Sequence, residues 1–75
     1  MEVKEVEDRI MKAFPDAQVA IFDSNGRGDH FEIRISSDEI NKLSRIQRHQ
    51  TILKLFDAEF KTGALHALSV KPIEL

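Results

Sequence analysis

Residues 44–71 read SRIQRHQTILKLFDAEFKTGALHALSVK. Ser44 offers a capping oxygen, and Ile46, His49, Leu53, Phe56 and Phe60 recur at three- and four-residue intervals, with Ile52 and Leu55 widening the stripe. That is the pattern of a long amphipathic helix, and it predicts the main core helix of the chain. Gly63 is a natural C-terminal stop, and Leu65 to Val70 is too short and too β-prone to start another helix. Lys71-Pro72 closes the resulting strand, because proline cannot donate to a sheet ladder. The stretch holds two of the chain's three histidines, His49 in the helix and His66 at the opening of the strand.

Upstream, Val3, Val6, Ile10 and Phe14 form a second helical stripe among Glu2, Glu5, Glu7, Asp8, Arg9 and Lys12, and Pro15 ends it. Ala17 to Phe22 is apolar and β-branched enough for a strand. Asp23-Ser24-Asn25-Gly26-Arg27-Gly28-Asp29 is a loop of turn formers. From His30 to Ser36, Phe31, Ile33 and Ile35 alternate with His30, Glu32 and Arg34, so one face is buried and the other wet. The two strands form an antiparallel hairpin. Ser36, Ser37 and Asp38 supply capping oxygens for a short turn through Asn41.

The order is helix, strand, strand, helix, strand, with a short extra helical turn before or after the long helix. A helix between the second and third strands is a crossover, so those strands run parallel in a three-stranded mixed sheet. His30 and His66 then belong to the same end of the sheet although they are far apart in sequence.

Composition bounds what such a domain does. With 75 residues there is room for one domain, 1–75, and one small core. A net charge of −2 supplies no global basic field for nucleic acid. There is no apolar run near ~18 residues, and Met1 is followed at once by Glu2, Lys4 and Glu5 instead of a signal peptide. The expectation is a soluble protein without membrane contact, of a bacterial cytoplasm or of the cytosol or an organelle of a eukaryote. Cysteine is absent, which excludes disulfides, zinc-thiolate sites and cysteine catalysis within this chain. Any metal chemistry must use histidine or carboxylate here, or ligands from elsewhere.

Three segments carry a resemblance to a known family: DSNGRGDHFEIRISS over residues 23–37, SRIQRHQTILKLF over 44–56, and TGALHALSVK over 62–71. Together they resemble the BolA-like proteins, whose pattern pairs a loop ending in a His-Phe-Glu strand start with a helix near Val-Gln-Arg-His-Arg and a closing Ile-His-Ala-Leu strand. The resemblance implies a small α/β (α+β) domain, α-β-β-α-(α)-β, like the type II K-homology topology. It implies partnership with monothiol glutaredoxins that carry a Cys-Gly-Phe-Ser motif. A [2Fe-2S] cluster is then shared between the two proteins, with glutathione supplying a thiol, and no cofactor is expected in the isolated protein, a monomer or weak homodimer.

The family's cluster-side histidine falls on His66. Its second ligand, a cysteine or histidine, lies in the loop before the second strand. This sequence has no cysteine there, Arg27 standing near the position, and offers only His30 at the loop's end. Arg45, Gln47, Arg48 and His49 match the helix motif that the family associates with partner or nucleic-acid contact. Gln50 replaces a commonly basic residue.

Imidazole can replace thiolate on one iron of a [2Fe-2S] centre, but three histidines without cysteine cannot hold a whole cluster by the usual ligation. The chain must share it. From pattern alone His66 has the parity of Leu68 and Val70 and reads as a half-buried core histidine; the resemblance reverses that preference. His30 has the parity of Glu32 and Arg34, points to solvent and faces away from the side carrying His66. Both sit at strand ends, where parity is a poor guide, so His30 is kept as a candidate ligand. His49, in phase with Ile46, Leu53 and Phe56, reads as a helix-face histidine at the core's rim.

Residues 1–40 hold ten of the 13 acidic groups, whereas Lys42, Arg45, Arg48 and Lys54 share a segment with no acid from Ile40 to Phe56. The bland reading is a solvated helix face. The functional one is a basic patch for an acidic partner surface, glutathione carboxylates or phosphates, and the alternative function is a nucleic-acid-binding transcriptional regulator using that helix. Sequence-specific RNA reading by a GxxG clamp is not expected, since the glycine pair is Gly26-Arg27-Gly28, in the wrong loop with the wrong spacing. Catalysis is rejected as well: the histidines, Asp23, Asp29, Ser24 and Ser36 assemble only a nominal triad, with nothing to fix a nucleophile beside a base.

Overall fold

In the computed structural model, which describes residues 1–73, the first apolar stripe becomes helix α1, Val3–Ala13, with Val6 and Ile10 fully buried. Glu5 accepts the main-chain N–H of Glu2 at 3.2 Å, which satisfies a donor the helix start leaves free. Strand β1, Gln18–Asp23, pairs antiparallel with β2, His30–Ser36, in the register Ile21 to Ile33 and Val19 to Ile35. The expected hairpin and the bounds of the second strand are as the alternation indicates, while β1 runs one residue later than expected and takes Asp23 from the loop.

After β2 the expected short turn through Asn41 is helix α2, Asp38–Asn41, and the expected long helix is two, α3, Arg45–Lys54, and α4, Asp57–Thr62. The buried Ser37 hydroxyl caps α2 by accepting from Ile40 N–H at 3.1 Å. Ser44 and Gln47 close a reciprocal capping box on α3, with bonds of 3.2 and 3.1 Å.

The division after Lys54 corrects the single-helix expectation. No proline or glycine causes it. Leu55 and Phe56 donate to Ile52 and Leu53, tightening the last turn to three-residue spacing, and Phe56 leaves helical geometry with φ −117° and ψ 19°. This reorients the chain so that Phe56 is fully buried while α4 follows a new direction. The Leu55 carbonyl released at the break is taken by Arg9 Nη1 at 3.2 Å, and the same guanidinium pairs with Glu59 and lies 5.1 Å from the Phe56 ring centroid. Gly63, at φ 81°, ends α4 in the left-handed region that glycine enters without strain.

Strand β3, Ala67–Pro72, joins β2 in parallel, giving the sheet order β1-β2-β3. Phe31, Ile33, Ile35 and Leu68 face the helices and complete a core with Val6, Ile10, Ile40, Ile52, Phe56 and Leu65. On the opposite face Glu32 binds Arg34 and Lys71 at 3.0 and 2.9 Å, which holds its carboxyl below the usual range, the Lys71 bond contributing most. Phe22, 51 % exposed, lies under the Arg34 guanidinium on that open face. The fold is therefore the expected α+β domain with a mixed three-stranded sheet. No helix among the described residues is long and apolar enough to cross a membrane.

One predicted core residue is displaced. Ile46 is 70 % exposed, because the first turn of α3 overhangs the outer edge of the sheet; there it lines an open groove with Arg45, His49, Val70 and Lys71. The buried stripe of α3 is centred on Ile52, and continues to Phe56 rather than back to Ile46.

Candidate functional site

The loop between β1 and β2 is built around Asp23. Its two carboxylate oxygens accept the N–H groups of Gly26 and Gly28 at 2.9 and 3.0 Å, folding the loop back on itself. Ser24 N–H returns to the His30 carbonyl at 2.8 Å, which closes the loop at the strand ends. Asp29 thus arrives at the mouth of the sheet with its carbonyl free to cross to the next strand. It accepts the N–H of His66 at 2.8 Å and of Ala67 at 3.2 Å.

These main-chain bonds bring three side chains together. Asp29 Oδ1 lies 2.8 Å from His30 Nδ1, and Asp29 Oδ2 lies 3.3 Å from His66 Nδ1. The Asn25 amide donates to Asp29 Oδ1 at 3.0 Å and stands 3.1 Å from His30 Nδ1. The two imidazoles meet edge to face, with ring centroids 5.7 Å apart and planes at 87°. His30, then Asn25, by hydrogen bonding hold the Asp29 carboxyl down to about 2 from an ordinary 3.8 against a lesser opposing effect of burial, and the charges of His30 and His66 add still smaller contributions. Asp29 is an anion at neutral pH.

Two expectations from strand parity are corrected here. His66 is not half-buried in the core: its side chain is 57 % exposed. His30 does not face away from it, as the ring contact shows. The reason is the strand boundary. Ala67 is the residue that pairs with His30, so His66 stands one position ahead of the ladder and its ring is not bound by the alternation that buries Leu68. Side-chain exposures of 42 % for His30 and 57 % for His66 leave both rings open to a partner molecule.

Asp29 was not singled out as a ligand in the sequence, although its place immediately before His30 was a usable signal; Asn25 had no such signal. The basic residues are distributed differently from the histidines. Arg45 and Arg48 line a groove with Arg34, Val70 and Lys71 that runs from β3 across the open sheet face to Phe22, and the buried Arg48 Nε has no hydrogen-bond partner among the described residues. His49 sits half-buried beside Arg45 and Ile46. Lys42 caps the end of α2, and Lys54 ends α3 beside Asp57, about 13 Å along the helix axis from Arg45. Lys42 and Lys54 line neither of these grooves, so the four cations do not make one patch.

Comparison with known proteins finds relatives in sequence and in fold. An uncharacterized protein of Haemophilus influenzae is 35 % identical over 71 residues, covering 95 % of this chain and 80 % of its own. The BolA-like hypothetical protein RP812 of Rickettsia prowazekii, solved by NMR, is 31 % identical, with a TM-score of 0.69 over 100 % of this chain and 96 % of that one. The BolA domain of SufE1 from Arabidopsis thaliana superposes with a TM-score of 0.79 at 28 % identity, covering 96 % and 92 % of the two chains. The sequence profile of the family described as BolA-like protein matches residues 3–73, and this chain is a member of the BolA-like family.

Proposed function

We propose that this protein is a non-enzymatic partner of monothiol glutaredoxins, with a [2Fe-2S] cluster as the shared cargo for iron-sulfur transfer or iron regulation. The observation that carries the reading is the pairing of His30 and His66, two exposed imidazoles whose rings meet at one end of the sheet. The donor set fits such a cargo: imidazole serves one iron of a [2Fe-2S] centre, and the thiolates this chain lacks come from the glutaredoxin cysteine and glutathione. When bound, the cluster supplies redox-active, transferable iron and sulfide. The chain's own contribution is to present His66, with His30 beside it, on a rigid strand end whose main chain is tied to Asp29.

The test is to mix the protein with a monothiol glutaredoxin holding its cluster and to record visible absorption and circular dichroism, for the wild type and for His66→Ala. A change of both spectra for the wild type that is lost in His66→Ala is expected. An unchanged wild-type spectrum overturns the reading, and a change that survives His66→Ala removes His66 as a ligand.

A second reading, a nucleic-acid-binding regulator, is favoured by one observation: Arg45, Arg48, Arg34 and Lys71 line a common groove. It requires a DNA affinity that falls with salt and drops further in Arg45→Ala and Arg48→Ala, because phosphate contacts release counterions.

A further inference from the structure

Asp29 touches both histidines, and the three side chains converge without crowding: one ligand-capable atom from each of Asp29, His30 and His66 lies within 4.8 Å of the others. We propose that these three residues form a binding site for one divalent first-row transition ion of the zinc(II) or iron(II) class, occupied by the isolated chain without any partner protein.

The distances support it. Metal-ligand bonds of ~2.0–2.2 Å place neighbouring ligand atoms ~2.8–3.6 Å apart in octahedral or tetrahedral geometry. Asp29 Oδ1 lies 2.8 Å from His30 Nδ1 and Asp29 Oδ2 3.3 Å from His66 Nδ1, close to such edges, and with one ligand atom from each residue within 4.8 Å of the others, small side-chain rotations bring all three onto one ion. The donor chemistry selects the class of ion. Two imidazoles and one carboxylate suit zinc, iron, cobalt or nickel, whereas magnesium and calcium prefer all-oxygen shells.

The site is also preorganised. Asp29 and His30 are adjacent at the start of β2, and the Asp29 carbonyl holds the His66 and Ala67 N–H groups at 2.8 and 3.2 Å, so no loop must be ordered for the three side chains to meet. The exposed side of both rings leaves the remaining coordination positions to water or to an incoming ligand. The proposal differs from the glutaredoxin reading in its third ligand and in needing no partner. It shares the two histidines, so the ion and the shared cluster exclude one another.

The experiment uses chelator-stripped protein alone, titrated with zinc(II) in competition with a chromophoric indicator, and with cobalt(II) followed by visible absorption. One equivalent binds to the wild type, and His66→Ala abolishes the cobalt bands. Asp29→Asn weakens zinc binding by more than the roughly 100-fold upper limit for losing an outer hydrogen-bond partner of a ligand. Asp57→Asn, which removes an exposed carboxylate paired with Lys61, leaves the affinity unchanged. Imidazole ¹H–¹⁵N spectra of the wild type provide a reading independent of how the variants fold: His30 and His66 shift with zinc and His49 does not. Absence of one-equivalent binding overturns the site, as does binding that survives His66→Ala, a smaller loss in Asp29→Asn, or a zinc response centred on His49. The glutaredoxin mixing experiment is independent, since wild-type protein that binds zinc but leaves the cluster spectrum unchanged separates the two conclusions.

Discussion

The main-chain carbonyl of Asp29 accepts the N–H of His66 at 2.8 Å, and the side chain of the same aspartate meets the His66 ring at 3.3 Å. One residue therefore fixes both where the third strand begins and what the exposed side chain just ahead of that strand faces. Its own ionisation is the most direct measure of that arrangement. In carboxyl-carbon NMR titration Asp29 is expected to titrate at about 2, and to move up toward 3.8 in His30→Ala, since the His30 bond is the largest cause of the depression. The unfolded chain takes up this proton first as pH falls, so the contribution of Asp29 to stability is full above the ordinary value and is lost as pH drops from 3.8 toward about 2. In Asp29→Asn that part of the acid dependence disappears from urea unfolding measured across this range.

The displaced phase of α3 makes a contrast within one helix and its extension. Phe56→Ala is expected to cost about 3–5 kcal/mol and Ile52→Ala about 2–5 kcal/mol, because both side chains are fully buried and leave cavities. Ile46→Ala stays within about 0.5 kcal/mol, as befits a side chain 70 % exposed. Equilibrium urea denaturation of the three variants decides between this phase and the one that puts Ile46 in the core.

Gly28 is expected to tolerate no side chain. It has φ 74°, and a Cβ there would stand 2.3 Å from the Met1 carbonyl oxygen, while its own carbonyl accepts from the Met1 nitrogen at 2.8 Å. Gly28→Ala should destabilise by about 1–3 kcal/mol in urea unfolding, from backbone strain and the steric conflict together. It should also shift the amide resonances of residues 23–30.

Arg9 reaches the break between α3 and α4, so its loss should be felt there and not in α1 alone. In Arg9→Ala the Glu59 carboxyl, held low chiefly by its hydrogen bond to Arg9, titrates upward toward the ordinary range. Amide exchange in Asp57–Thr62 accelerates because the Leu55 carbonyl no longer has its long-range donor. Unchanged Glu59 titration in carboxyl-carbon NMR would show the pair to be absent in solution.

Local pattern in the chain sufficed for three features of the fold. The alternation of Phe31, Ile33 and Ile35 set the face of β2, the three-and-four spacing from Val3 to Phe14 set α1, and an intervening helical segment made β2 and β3 parallel. These are consequences of period and chirality, which act over a few residues. The shared sheet end of His30 and His66 followed from that topology alone.

Three matters waited for the folded chain. Periodicity marked a stripe from Ile46 to Phe60 but could not locate where the helix meets the sheet, and that position exposes Ile46, buries Ile52 and turns the chain at Phe56. Parity could not orient His66, because a residue one place outside the ladder is not constrained by the pleat. The carboxylate between the two histidines was invisible for a related reason. Asp29 joins His66 only through bonds between segments distant in sequence, so residue pattern could nominate the histidines, while the β2–β3 register alone decided that an aspartate stands between them.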